Sequence, residues 1–291
     1  MRKKNLPTPI SVDEQIKNLR DNNLIIDDVE YAKDVLNRIS YFRLIKAYGL
    51  GLKPKNGKYN ENITFERIVK IYEFNSRLRA IIFPLIEDVE INLRCKLANY
   101  FSIKYGILGY EDPNNFVDKE VHAQFFKSYQ LEEDREKSLF VRNFKHNYKE
   151  GKVPFYAAVE LFTIGMLSKF YANMKTKDKK AIAREFGVGD IYLESWVRSL
   201  TDVRNICAHY GRLYNIKLPI KPLACKGYPS GYNYRIFGTI LTLKYLVVNR
   251  SLWVAFRTDL TALIEEYKEY IALEAIGFPE KWDEVLFEKQ Q

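Results

Sequence analysis

The segment "TFERIVKIYEFNSRLRAIIFPLIEDVEINLRCKLANYFSIKYG", residues 64–106, decides the fold. Its apolar residues Ile68, Ile71, Tyr72, Leu78, Ile82, Leu85, Ile86, Val89 and Leu93 recur at spacings of three and four, the period of one helix face. Thr64 and Glu66 open it. Pro84 has no amide hydrogen and is expected to kink it.

Working outward, the same period returns almost everywhere. On the N-terminal side, Ser11 with Glu14 forms a capping box before "VDEQIKNL", and Asp27 with Glu30 repeats the device before "YAKDVLNRI". Ser40 precedes "YFRLIKAY". "LKPKNGKYNEN", residues 52–62, is rich in Pro, Gly, Asn and Lys and reads as a linker. It separates an N-terminal helical segment, residues 1–60, from the remainder, 61–291, and the two are expected to pack as one compact unit. On the C-terminal side, "EDPNN" is a turn, and a charged helix is expected from about 118 to 149. "PFYAAVELFTIGMLSKFYANM" reads as one apolar helix started by Pro154, followed by a short basic helix ending at Gly187. A helix opened by Asp190 follows, then a loop at 218–233 and two more helices, about 234–249 and 251–275. No alternating strands and no βαβ rhythm interrupt the pattern. The fold class is all-α, a multi-helix bundle.

The chain of 291 residues carries a formal charge of +9. Such a balance favours a polyanionic partner, nucleic acid or an anionic membrane surface, although a soluble protein can simply be basic. The membrane surface fits poorly, because no helix pairs a basic face with exposed Trp and Phe. No apolar run reaches transmembrane length, and "MRKKNLPTPI" lacks the apolar core of a signal peptide. Cys95, Cys207 and Cys225 show no CxxC spacing, which disfavours a disulfide framework or a zinc site and suits a reducing cytoplasm. Phosphate-loop, HExxH and nucleophile-elbow motifs are absent, and no metal or other cofactor is expected. "EDVE" (87–90) and "EEDRE" (132–136) read as solvated or salt-bridged faces, and His122 and His146 as surface or packing residues.

One stretch stands out, "VRNICAHYGRLYN" at 203–215. At 100° per residue, Asp202, Asn205, His209 and Arg212 fall on one polar stripe, opposite the apolar Leu200, Val203, Ile206 and Cys207. Arg204 lies about 140° from His209 on an ideal helix. Two readings fit. In one, an Asp202–Arg198 pair and a histidine cap finish a helix. In the other, the stripe serves RNA cleavage by the 2′-hydroxyl, which needs a base, an acid and positive charge near the phosphorane, and no metal. Histidine suits the proton transfers and arginine the phosphate. One motif supplies part of that set, and two copies in a symmetric dimer supply the whole.

The same stretch resembles the R-N-x3-H signature of HEPN ribonucleases, and specifically the Abi family of abortive-infection proteins (AbiD/AbiF-like). "RISYFRLIKAY" (38–48), residues 64–94, "VPFYAAVELFTIGMLSKFY" (153–171), "YNYRIFGTILTLKYLV" and "GFPEKW" are also similar to family segments. The resemblance implies a HEPN-like helical core in 61–291 and a cytoplasmic, metal-independent endoribonuclease of a phage-defence, toxin–antitoxin type system. It implies Arg204 and His209 as the catalytic pair, with Asn205 orienting the histidine or the phosphate. Glu160 and Asp202 are auxiliary candidates, Glu160 either as a polar partner of the motif or as a buried carboxylate paired with Arg. Arg198, Arg212 and Lys169 are candidate RNA contacts or plain surface charge. Implied partners are an RNA substrate, a structured RNA acting as antitoxin, and a second copy of the chain. The alternative from another class is an RNA-binding protein that cuts nothing. Two departures matter: Asn75 stands where the family pattern has Asp, which removes a salt bridge to a neighbouring arginine, and Tyr210 stands where a second histidine is frequent.

Overall fold

The computed structural model describes residues 8–49, 51–53, 57–224 and 234–287. Cys225, the 225–233 part of the expected loop, the 54–56 part of the linker and the first seven residues lie outside them. The described chain is helical, with no strand and only isolated bridges at Ile25–Thr64 and Phe116–Met174. The all-α expectation holds.

Helices α1 (Val12–Asp21) and α2 (Val29–Arg38) form the N-terminal pair. The Ser11–Glu14 capping box is present, and α2 is capped by Asp28, one residue later than expected. "FRLIK" is a single π-helical turn, Phe42–Lys46. Such turns recur at functional sites, and this one carries Arg43 and leads to Tyr48. Helix α3 (Phe65–Tyr105) runs the length of the expected pattern and continues through Pro84. Its buried face holds Ile68, Ile71, Leu78, Ile82, Leu85, Ile86, Val89 and Leu93, the periodic set read from sequence except Tyr72, which is half-buried.

Two expected single helices are broken. The charged segment splits into α4 (Lys119–Arg135) and α5 (Leu139–Asn147), with Glu136 and Ser138 extended between them. The Glu136 carboxylate accepts from the Ser138 amide at 2.8 Å. The turn folds α5 back, so that Lys145 reaches Glu133 at 3.3 Å and Asp134 at 3.7 Å. The apolar segment becomes α6 (Phe155–Ala158), a 3₁₀ turn (Val159–Leu161) and α7 (Ile164–Asn173). Thr163 caps α7 by accepting from the Met166 amide. The break lets Phe155, Phe162 and Phe170 cluster, with Phe155 and Phe170 also against Phe101 of α3. Helices α8 (Thr176–Glu185), α9 (Asp190–Ala208), α10 (Ile236–Leu246), α11 (Arg250–Tyr267) and α12 (Trp282–Phe287) complete the bundle. Helix α3 is its spine and touches α6, α7, α8, α9, α10 and α11.

The far end of α3 is pinned by a wholly buried carboxylate. Asp178 accepts from Tyr100 at 2.8 Å, from Tyr105 at 2.6 Å and from Lys104. Burial pushes its carboxyl up, but the bonds from Lys104, Tyr105 and Tyr100 outweigh that and hold it below its ordinary value. A depressed carboxyl contributes stability above the unfolded value, and loses it as pH falls through the folded one. Asp178→Ala leaves two hydroxyls and an ammonium without their acceptor. It is expected to lower unfolding free energy by about 2–3 kcal/mol at neutral pH. The difference from the parent should shrink in acid, read from denaturant titrations at several pH values.

Candidate active site

Helix α9 lies with Leu193, Trp196, Val197, Leu200, Val203 and Cys207 buried. Its other side carries Arg198, Asp202, Asn205 and His209. The helix ends at Ala208, with His209 as the C-cap residue. The Tyr210 amide donates to Cys207 O at 3.2 Å and the Gly211 amide to Ile206 O at 2.7 Å, a Schellman turn. Tyr210 takes the left-handed conformation at φ 56°, a position usually left to glycine. Glycine follows one residue on, where a Cβ would sit 3.1 Å from Ile206 O, a tight approach. The chain therefore leaves the helix axis after His209. Arg212 does not continue the polar stripe, as an unbroken helix would have it. Its guanidinium donates to Ala47 O instead.

The exit from this turn is held by residues distant in sequence. Arg43 donates to Tyr210 O at 3.0 Å, and Arg79 donates to Gly211 O at 2.8 Å. Asn75, wholly buried, accepts the Leu213 and Tyr214 amides on Oδ1 at 2.7 and 2.9 Å. Its Nδ2 donates to the Tyr48 hydroxyl at 2.9 Å. Asn75 thus supplies the acceptor an aspartate would supply, and adds a donor. Arg79, one turn further along α3, gives its charge to a backbone carbonyl.

Arg204 turns towards α3. Its guanidinium lies 6.0 Å from the Phe83 ring centroid, and its Nε is 3.6 Å from Glu90 Oε2 with no hydrogen bond. Glu90 accepts from Arg94 at 2.9 Å, and Arg94 Nε lies 3.8 Å from Glu160. The Arg94 guanidinium also donates to Val159 O. Glu160 is therefore linked to Arg204 through two intermediaries. It is paired with an arginine but exposed, not buried: 59% of its side chain is open to solvent. Asn205 and His209 are exposed.

Asp202, Arg198 and Lys169 meet elsewhere, in a groove of about 350 Å³ between α7 and α9 that also includes Ser168, Glu194 and Ile220. Asp202 Oδ2 is buried without a hydrogen-bond partner. Burial raises its carboxyl, and Arg198 opposes the rise. The sequence-derived residues thus divide into a motif end, with Arg204, Asn205 and His209, and this separate groove.

A second groove, of about 500 Å³, opens between α3 and the motif and is lined by Ser76, Arg79, Ala80, Phe83, Pro84, Cys207, Ala208 and Tyr210. Burial pushes the Cys207 thiol up to about 12, which keeps it protonated and unreactive near neutrality. Arg43, Arg79 and Phe83 were not singled out from sequence, and Glu90 only within the "EDVE" segment read as a solvated or salt-bridged face. Glu90 shows its pairing there only as the i, i+4 spacing to Arg94, one common pattern among many. His122 is a packing residue, its Nε2 2.9 Å from Tyr110 O, and His146 is exposed. Among the described residues no group of three His, Cys, Asp or Glu is placed to hold a metal ion, and no helix is long and apolar enough to cross a membrane.

A family model described as Abi-like protein matches residues 34–215, more than half of the 291-residue chain. The match begins in α2 and ends just past the motif turn, so it contains Arg43, Asn75, Arg79, Glu90, Arg204 and His209. No curated protein and no solved structure matches.

Proposed function

The chain belongs to the Abi-like protein family, and from that premise we propose that it is a metal-independent endoribonuclease of an abortive-infection system. The observation that carries the reading is the motif end: an exposed His209 on a turn fixed from three sides, with Asn205 and Arg204 one helical turn before it. The RNA 2′-hydroxyl attacks the adjacent phosphorus. A base takes its proton, the 2′-O–P bond forms, the P–O5′ bond breaks, and an acid protonates the departing 5′-oxygen. His209 performs one proton transfer. The second comes from His209 of a two-fold related copy, since a two-fold contact brings each motif to its own equivalent. Arg204 offers charge to the phosphorane, with Nε donor capacity that Glu90 leaves uncommitted. Asn205 orients the imidazole or the phosphate. The charge of +9 suits the substrate and also a structured RNA that restrains the enzyme.

This chemistry sets the expected products. Cleavage persists in excess EDTA and leaves a 2′,3′-cyclic phosphate and a 5′-hydroxyl. A single 2′-methoxy group at the cut site makes the RNA inert. End-group analysis checks both, and metal-dependent cleavage leaving a 3′-hydroxyl overturns the mechanism. RNA that binds tightly and stays intact under all conditions leaves the alternative, a non-catalytic binder of a structured regulatory RNA.

A further inference from the structure

The groove between α3 and the motif has a composition unlike a phosphate track. Arg79 is 6% exposed and lines it. Its bonds go to Gly211 O and to the Ser76 hydroxyl, at 2.8 and 3.3 Å, and the Tyr48 hydroxyl takes a third. A guanidinium carries five N–H donors, so donors remain for an acceptor in the groove. Phe83 and Tyr210 contribute aromatic rings, the surfaces on which unpaired bases stack. Pro84 has no amide hydrogen, so the carbonyl of Ala80, one turn before it, lacks its usual helix partner. That leaves a hydrogen-bond acceptor on the same wall. Cys207, Ala208 and Tyr210 belong to the motif turn, and the Arg204 guanidinium lies against Phe83.

We propose that this groove is a base-recognition subsite that takes one unpaired guanine of the RNA next to the scissile phosphate. Guanine presents O6 and N7 acceptors to the Arg79 guanidinium and amino and imino hydrogens to the Ala80 carbonyl. Adenine places an amino donor where Arg79 already donates. The volume of about 500 Å³ accommodates a base with its ribose. The inference deepens the reading of the motif as an RNA site and rests on it.

The test reads binding, so cleavage does not enter it. Two short oligouridines, 2′-O-methylated throughout and therefore uncuttable, differ only in one central guanine or adenine. The guanine oligonucleotide is expected to bind about tenfold more tightly by fluorescence anisotropy, the discrimination of one good bidentate pair. Arg79→Ala is a poor probe, because it also removes support from Gly211. Ala80 is exposed on a helix, so Ala80→Leu fills the groove without disturbing the core, and is expected to bring the two oligonucleotides within about twofold. A 6-thioguanine at the same place is expected to crosslink to the peptides carrying Phe83 or Tyr210. Equal binding by the parent protein, a preference that survives Ala80→Leu, or crosslinks confined to other peptides overturns the subsite. A protein that prefers guanine yet cuts no RNA keeps the subsite and removes the nuclease reading. One that cuts while ignoring base identity does the reverse.

Discussion

His209→Ala is expected to reduce RNA cleavage by about 10²–10⁴-fold, the usual worth of a positioned proton carrier, while the unfolding midpoint stays where it was. The second half of that expectation comes from the structure. His209 caps α9 through its backbone, which donates to Asn205 O at 3.0 Å, and alanine keeps that bond. Its side chain is exposed. Arg204→Ala is expected to cost about 10²–10³-fold, as loss of a donor to the developing phosphorane does. Its effect on stability is small, because the contact with Glu90 is 3.6 Å long and Glu90 keeps Arg94. Arg204→Lys retains charge but loses the planar fork, and falls between the two. Mixing the two inactive alanine variants extends the test to the dimer. If two copies bring different groups to one phosphate, mixed dimers regain part of the activity. A monomer that cleaves at full rate removes the composite site, and two fully active alanine variants reduce the motif to a helix end.

The long helix α3 was legible from sequence because its signal is local and repeats over many turns. The breaks at 136–138 and 162–163 were not. There the apolar period continues on both sides, and a side-chain cap competes with helix propagation over a few residues: Thr163 accepting the Met166 amide, Glu136 accepting the Ser138 amide. The motif helix was legible to its last turn. Its exit was hidden, because Tyr210 takes the left-handed conformation and glycine follows it rather than occupying it. Extending the helical stripe to Arg212 was the direct result. The groups that hold the exit were out of reach for another reason. Arg43 meets Tyr210 across 167 positions and Asn75 meets Leu213 across 138. No periodicity links residues so far apart. Asn75 was visible only as a departure from a family pattern, and the departure pointed to a lost salt bridge. The structure shows a backbone clamp that needs an acceptor oxygen and tolerates a neutral one.

That clamp carries a larger expected stability effect than the Asp178 carboxylate. Asn75→Leu keeps the branched outline of the side chain and removes every polar atom. The amides of Leu213 and Tyr214 lose their acceptor, and Leu213, Tyr214 and Tyr48 are all buried, so water does not readily replace it. An unsatisfied buried donor costs about 1–3 kcal/mol, and two of them give roughly 3–5 kcal/mol, while the Tyr48 hydroxyl keeps Arg79. For a chain of this size that is a fall in melting temperature of about 10 °C. Asn75→Asp behaves differently. Its carboxylate accepts the same two amides, the Tyr48 hydroxyl rotates to donate, and Arg79 stands one turn away to meet the charge. The expected cost is about 1 kcal/mol or less at neutral pH. It grows as pH falls through the carboxyl's folded value, because amide donors and a guanidinium favour the ionised form. Cleavage follows the same order, since the turn that carries His209 is secured by the segment Asn75 holds. Thermal unfolding of the two variants decides the point. An Asn75→Leu protein as stable as the parent, or an Asn75→Asp protein that is the weaker of the two at neutral pH, means the exit is held by Arg43 and Arg79 without the amide clamp.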